Sequence, residues 1–321
     1  MSLNPFAADA AVAARHSANL AAIGPAVRAA ASGHVRTGGE ALAANMGGVL
    51  PAPAAAHLVE TFGLVSVRDL MLLLVDSARE IARPPVSQFH VGAVGLEAET
   101  GHLVLGGNVE FPGTHLGFTV HGEGFVFTRA FSRGTSIAVI ALGEAHPCAH
   151  CRQYLSEFAA SGGLELIDPL GHALTLRELY PWPFDPAYLG EGGAIPGNRA
   201  WTDLGPDRRD LPAAILTRLL EAGARAHAPY SRCPGAVVLE LADGNLVAGS
   251  SVESVAFNPT IQPIQAAFID LIAHGYGFDD IRRAVLGTVP GGNVDYSAST
   301  RELLGKVAPQ AELNVVGWSV R

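Results

Sequence analysis

The sequence predicts an α/β protein in which a three-layer α-β-α unit with a mixed central sheet occurs twice, preceded by helices. Three observations predict it. The hydrophobic patterning of the first half runs strand, strand, helix, strand, helix, an order that builds a mixed sheet covered by helices. The second half echoes the first: the segment from Tyr230 to Glu240 resembles Ser87 to Glu97, Val247 to Glu253 mirrors Val104 to Glu110, and the offset from Gly92 to Glu110 equals that from Gly235 to Glu253. The composition suits a well-buried chain, 49% hydrophobic and 16% charged over 321 residues, long enough for two ordinary domains.

The elements follow in order. Residues 1–50 are Ala-rich with helical spacing and read as one or two helices, ended by Gly47-Gly48 and Pro51-Ala52-Pro53. A helix is predicted from Ser66, as N-cap, to Ala82, with Asp69, Asp76, Arg79 and Glu80 wet and Leu70, Leu73, Leu74 and Ala78 buried. Phe89 to Leu96 and Leu103 to Glu110 read as a hairpin turning at Thr100-Gly101. A loop over Phe111 to Phe118 leads to a helix from Thr119 to about Phe131. Ser136 to Leu142 is a buried strand, and a helix opens at the cysteine pair and runs through Phe158. Prolines and glycines between 179 and 210 predict a linker, after which Pro212 to Arg225 is helical. Asp270, Asp279, Asp280, Arg282 and Arg283 read as one solvated helix face. The expected division is 1–50 N-terminal helices, 51–178 catalytic unit, 179–210 linker and 211–321 degenerate copy.

Charge and cysteine usage bound the function. A net charge of -9 disfavours a nucleic-acid polymer as partner, because such binders usually carry a basic stripe. With 3 cysteines, two of them in one Cys-x-x-Cys pair and Cys233 remote, there is no disulfide framework. Free thiols fit a reducing compartment. The N-terminal stretch carries Asp9, Arg15, His16 and Arg28 and so lacks a signal-peptide core, and no uncharged apolar run is long enough to span a membrane. A soluble cytoplasmic protein is expected.

The chemistry gathers in two pieces, His121-Gly122-Glu123 and Pro147-Cys148-Ala149-His150-Cys151-Arg152. An imidazole and two thiolates are three protein ligands for Zn2+ that leave a fourth position for water, with a carboxylate nearby to move protons. A lone Cys-x-x-Cys suits two buried core residues equally well; the upstream His-x-Glu tips the reading to metal. Thiolates at a helix start gain from its free N–H groups and dipole, and Arg152 could offset their charge. His90, His115 and His150 are read as non-ligands. In the second half, Gln262-Pro263-Ile264-Gln265 falls near the His-x-Glu position, and Ser297 and Thr300 near the two cysteines. Neutral hydroxyls do not replace thiolates on zinc, so that copy is expected to have lost its chemistry.

These segments, with Ser87-Gln88-Phe89-His90-Val91-Gly92-Ala93, Asn108-Val109-Glu110-Phe111 and, in the second half, Pro229-Tyr230-Ser231 and Ala256-Phe257-Asn258-Pro259-Thr260, make the chain resemble the two-domain, homodimeric, zinc-dependent cytidine deaminases over nearly its whole length. The resemblance implies that His121, Cys148 and Cys151 bind zinc and that Glu123 is the proton shuttle. It further implies that Asn108 and Glu110 hold the ribose hydroxyls, that Phe89 packs on the pyrimidine, and that the Gly122 N–H meets the base carbonyl. The activity implied is hydrolysis of free cytidine or deoxycytidine to the uridine and ammonia, in pyrimidine salvage. Gly122 and Gly124 depart from the family's usual Ala and Gln, and two glycines in a first turn cost about 1 kcal/mol each relative to Ala. A pocket reshaped for modified cytidines, or a zinc-binding pseudoenzyme, therefore remain alternatives at this point.

Overall fold

The computed structural model describes residues 6–143, 146–208 and 210–320. Helix α1 (Ala10–Ser32) starts at Asp9, whose carboxylate accepts from the Ala11 and Val12 N–H groups. After α2 (Gly38–Ala43), β1 (Val49–Leu50) and α3 (Ala52–Thr61) comes α4 (Val67–Arg79). Ser66 is the N-cap of α4 but makes no side-chain cap bond; the Asp69 carboxylate instead accepts from Val65 N–H at 3.2 Å. Asp69 is not wet as expected. It is buried and grips Arg15 of α1 through Nε at 3.2 Å and Nη2 at 3.1 Å. The reason is that α1 covers the side of α4 that faces away from the sheet, a burial that the periodicity of α4 alone does not register.

Strands β2 (Gly92–Glu97) and β3 (Leu103–Gly107) form the expected antiparallel hairpin, turning at Gly101 with φ 70°. Then come α5 (Gly122–Arg133), β4 (Ile137–Leu142), α6 (Ala149–Leu155), β5 (Glu165–Ile167), β6 (Ala173–Thr175) and the single turn α7 (Leu176–Leu179). The sheet order is β1-β3-β2-β4-β5-β6, with β4 and β5 parallel and the other pairs antiparallel. Two neighbouring glycines show how closely helices cover both faces. A Cβ on Gly106 would lie 2.5 Å from the Phe125 ring of α5, and one on Gly107 would lie 2.6 Å from the Ala82 nitrogen just beyond α4. The strand starts later than expected, so Phe89 lies on the preceding loop, and β3 stops before Asn108.

The second half repeats this plan. After β7 (Leu204–Pro206) come α8 (Ala213–Arg225), β8 (Ala236–Leu241), β9 (Leu246–Ser250), α9 (Pro263–Ala273), β10 (Ile281–Thr288), α10 (Ser297–Val307) and β11 (Glu312–Val320). The order is β7-β11-β10-β8-β9, again with one parallel pair, β10 with β11. Helix α8 covers one face through Ile215 and Leu219, and α9 the other through Ile264 and Phe268. The mixed, duplicated α/β architecture is thus the one predicted.

The copies share a core: Val109, Val120 and Phe125 of the first cluster with Val237, Ile264 and Phe268 of the second. Arg129 of α5, fully buried, reaches Asp270 of α9 at 3.2 Å. The solvated-face reading of the 270–283 charges is therefore wrong. Asp270 is buried on α9, Asp279 and Asp280 sit in a one-turn 3-10 helix, and Arg282 and Arg283 are on β10. The run crosses from helix to strand, so a helical period does not apply to it. Trp201, on the segment between the two copies, is buried and donates its indole N–H to the Ala226 carbonyl at 2.9 Å. Among the described residues no helix is long and apolar enough to cross a membrane.

Candidate active site

Two helix N-termini converge on one spot. His121 is the N-cap of α5, Cys148 is the N-cap of α6, and Cys151 lies in the first turn of α6. His121 Nδ1 is 3.1 Å from Cys151 Sγ and 3.5 Å from Cys148 Sγ, and the two sulfurs are 3.6 Å apart. Zinc bonds of about 2.3 Å to sulfur and about 2.0–2.1 Å to nitrogen would give tetrahedral edges of roughly 3.8 Å between sulfurs and roughly 3.5 Å from sulfur to nitrogen. The donor set and its spacing fit zinc. Cys151 is buried, His121 half-buried and Cys148 exposed, so the triangle has a side open to solvent for a water or substrate.

The metal-free electrostatics follow from the same contacts. Hydrogen bonds from Cys151 and then His121 hold the Cys148 thiol down at about 3, which makes it a thiolate. Cys151 is pushed up, chiefly by donating to Cys148 and then by burial. The hydrogen bond with Cys148 raises His121 above the usual imidazole range. Glu123, on the second residue of α5, is buried, and burial raises its carboxyl. A carboxyl that resists ionisation is suited to taking up a proton and giving it back. Arg152 does not offset the thiolate charge as expected: its guanidinium donates to the carbonyls of Pro147 at 2.8 Å and Leu179 at 2.9 Å, bracing the loop ahead of α6.

A paired bridge between Val109 and Val120, with N–H···O distances of 2.8 and 2.9 Å, sets Asn108 and Glu110 beside His121. Both side chains brace the loop that carries Phe89. Asn108 donates to the Phe89 carbonyl and accepts from Val91 N–H, each at 2.9 Å. Glu110 accepts from Val86 N–H at 2.9 Å, Ser87 N–H at 2.8 Å and the Ser87 hydroxyl at 2.5 Å. Burial works against its charge, yet these bonds outweigh it and hold the carboxyl below its ordinary value. Phe89 is 60% exposed, its ring free of the core. His90 and His115 bond to the Arg79 carbonyl and the Gly117 N–H, and His150 approaches the Asn258 carbonyl at 3.4 Å; none of them joins the cluster.

The second copy keeps the brace without the chemistry. Glu253 accepts from Tyr230 N–H at 3.0 Å, from Ser231 N–H at 3.1 Å and from the Ser231 hydroxyl. Cys233 N–H donates to the Ser231 hydroxyl at 3.0 Å, as Phe89 N–H does to Ser87, so a small buried thiol stands where the exposed ring stands in the first copy. Gln262 is the N-cap of α9, in the place of His121, and Tyr296 the N-cap of α10. The Tyr296 ring fills the space: a Cβ on Gly235 would meet it at 2.6 Å.

Sequence patterning did not register the arm from Tyr180 to Tyr188. Gln153 of α6 holds it, donating to the Phe184 carbonyl at 2.7 Å and accepting from the Tyr180 hydroxyl at 2.9 Å. Phe184 and Tyr188 stack with centroids 5.8 Å apart. The only available signal was the aromatic content of a Pro-rich stretch.

The family model of the cytidine and deoxycytidylate deaminase zinc-binding region matches twice, at residues 66–162 and, in a second form, at residues 202–301. A cytidine deaminase of Shewanella sp. (strain MR-7) is 32% identical over 264 residues, covering 82% of this chain and 87% of the relative. Cytidine deaminase 6 of Arabidopsis thaliana is 34% identical over 265 residues, covering 76% and 89%. A crystal structure of cytidine deaminase from Burkholderia pseudomallei aligns with TM-score 0.30 and 19% identity, covering 34% of this chain and 93% of that one. Two matched zinc-binding regions, relatives aligned along most of both chains and a zinc-shaped His-Cys-Cys cluster lead to one conclusion: the chain belongs to the two-domain zinc-dependent cytidine deaminases.

Proposed function

We propose that the protein hydrolyses free cytidine and deoxycytidine to uridine and deoxyuridine, consuming one water and releasing one ammonia per turnover. The observation that carries this is the zinc-spaced triangle of His121, Cys148 and Cys151 with buried Glu123 two residues after His121 in the first turn of α5. Zinc, when bound there, supplies an acidified water, with a pKa of about 7 in known zinc hydrolases, and an electrophilic charge. Glu123 takes the proton of that water and delivers it to the pyrimidine ring nitrogen. It then takes the proton of the hydroxyl now on the ring carbon and passes it to the departing amine, so the carbon–nitrogen bond breaks, the uracil carbonyl forms and ammonia leaves as a neutral group. Gly122, at the first helical position, offers a backbone N–H with no side chain in front of it to the base carbonyl oxygen. Asn108 and Glu110 grip the ribose hydroxyls with the donor and acceptor capacity left over from the loop brace. The exposed Phe89 ring lies on the pyrimidine face.

The reshaped-pocket and pseudoenzyme alternatives are not favoured. Cytidine deaminase relatives align over most of the chain, and Glu123, which a purely structural metal site does not need, is present. Residues 51–178 with the edge strand β1 form the catalytic unit, 211–321 with the edge strand β7 the silent copy, and the rest of 179–210 the linker. The active form is a homodimer. Large apolar side chains exposed on loops leading into the site, Phe89 at 60%, Leu116 at 76% and Phe257 at 65%, support a second copy covering them. The three free cysteines support a reducing, cytoplasmic setting, and turnover of free nucleosides fits a role in pyrimidine salvage. Ammonia release from cytidine, deoxycytidine and single-stranded oligonucleotides tests the proposal. Turnover of the nucleosides and not of the polymers is expected; preference for polymer would overturn it.

A further inference from the structure

A second cluster of metal-binding side chains lies outside the thiolate centre and has no part in the chemistry above. His146, Asp168 and His172 bring one ligand atom each to within 4.8 Å of one another. Asp168 directly follows the strand β5, and its carboxylate is buried. One oxygen, Oδ1, is already committed to the turn, accepting from Leu170 N–H at 2.9 Å and His172 N–H at 3.0 Å. The other, Oδ2, faces two imidazoles: His172 Nδ1 at 2.7 Å and His146 Nε2 at 2.9 Å. The rings stand 67° apart with centroids at 5.6 Å, so they converge on the oxygen and do not stack.

The turn that carries Asp168 and His172 is held from both sides. Gly171 N–H donates to the Asp168 carbonyl at 3.2 Å, and Asp9 N–H donates to the Gly171 carbonyl at 2.8 Å. Two of the three donors are therefore fixed before any ion arrives. The third, on the 40% exposed His146, has solvent beside it from which waters could complete a coordination shell. Divalent ions with ligand bonds of about 2.1 Å space neighbouring ligands roughly 3.0–3.4 Å apart, so the two carboxylate–imidazole pairs have to open by about 0.1–0.7 Å. Two imidazoles with one carboxylate and no thiolate suit zinc, iron, cobalt or nickel better than magnesium or calcium.

We propose that His146, Asp168 and His172 form a second transition-metal site that takes a divalent ion of the zinc class. Its place in the chain gives it a consequence. His146 is two residues before Cys148, so an ion here ties the segment entering α6 to the β5–β6 turn. The second ion would slow loss of the first by restraining the loop that bears one of its ligands. The proposal is independent of which nucleoside the protein deaminates.

Metal stoichiometry tests it. The full-length protein, stripped and then titrated with zinc, is expected to bind two equivalents, falling to one in His146→Ala/His172→Ala and to one in Cys148→Ser/Cys151→Ser. Titration of the wild type with cobalt gives a second, optical readout: one equivalent with thiolate-to-cobalt charge transfer and one with ligand-field bands only. The single variant His146→Ala, at a half-exposed side chain, guards against loss of fold and should also remove the second equivalent. Saturation of the wild type at one equivalent overturns the proposal, and so does a second equivalent that persists in the double histidine variant. In either case the cluster is a hydrogen-bonded clamp of two imidazoles on one carboxylate.

Discussion

At the scale of single residues, the three proposed zinc ligands, His121, Cys148 and Cys151, set a proton balance. Metal-free, Cys148 is a thiolate while Cys151 keeps its proton and His121 is drawn toward its charged form. Zinc needs both thiolates and a neutral imidazole, so binding expels protons from Cys151 and His121. Lowering the pH restores those protons and weakens zinc; raising it toward neutrality and above strengthens zinc. Calorimetric zinc titration in buffers of different ionisation enthalpy should report, for the equivalent bound at the thiolates, release of the Cys151 proton and of the His121 proton to the extent that the ring is charged. No proton release would mean that Cys151 is not a ligand. The His121-Cys148-Cys151 cluster was legible in the sequence because such a donor set is marked by residue type and short spacing. Asp69 was misjudged for the opposite reason: its burial comes from Arg15, far away in the chain.

At the scale of elements, α5 carries two unusual glycines that packing does not demand. A Cβ on Gly122 would sit 3.4 Å from Val91 and 3.5 Å from Ala93, and one on Gly124 would find nothing closer than 3.9 Å. Gly124→Ala should therefore stabilise the protein by up to about 1 kcal/mol, read as a rise in denaturation midpoint. Destabilisation would show that the glycine meets a backbone need. The two loop braces allow a sharper comparison. Glu110 and Glu253 make the same kind of bonds to their loops, but only Glu110 stands beside the His-Cys-Cys cluster. Glu253→Gln should lower stability and leave KM unchanged; Glu110→Gln should lower stability and raise KM as well. Equal kinetic behaviour in the two variants would assign Glu110 to the brace alone. The hairpin, the cluster-bearing helices and the repeat were all legible from pattern. Where β2 begins and β3 ends was not, because side-chain braces and not strand pairing shape the chain at Phe89 and Asn108.

At the scale of the whole molecule, the duplicated units are joined through a buried charge pair. Burial pulls Arg129 down to about 10, with Asp270 acting against that fall, so the guanidinium stays charged at neutral pH. Removing its partner strands a cation in the shared core, and Asp270→Ala should cost about 3–5 kcal/mol in chemical denaturation. A change below about 1 kcal/mol, the size of a surface pair, would show that the copies do not depend on this contact. No reading of α9 by itself could place Asp270 inside, since the helix that buries it belongs to the other copy. In the proposed mechanism Glu123 moves the protons at a zinc site it does not itself build. The isosteric Glu123→Gln variant separates the two roles. Zinc content should remain that of the wild type, while turnover of cytidine falls by at least about 10²–10⁴-fold. Wild-type turnover in the zinc-loaded variant would contradict it.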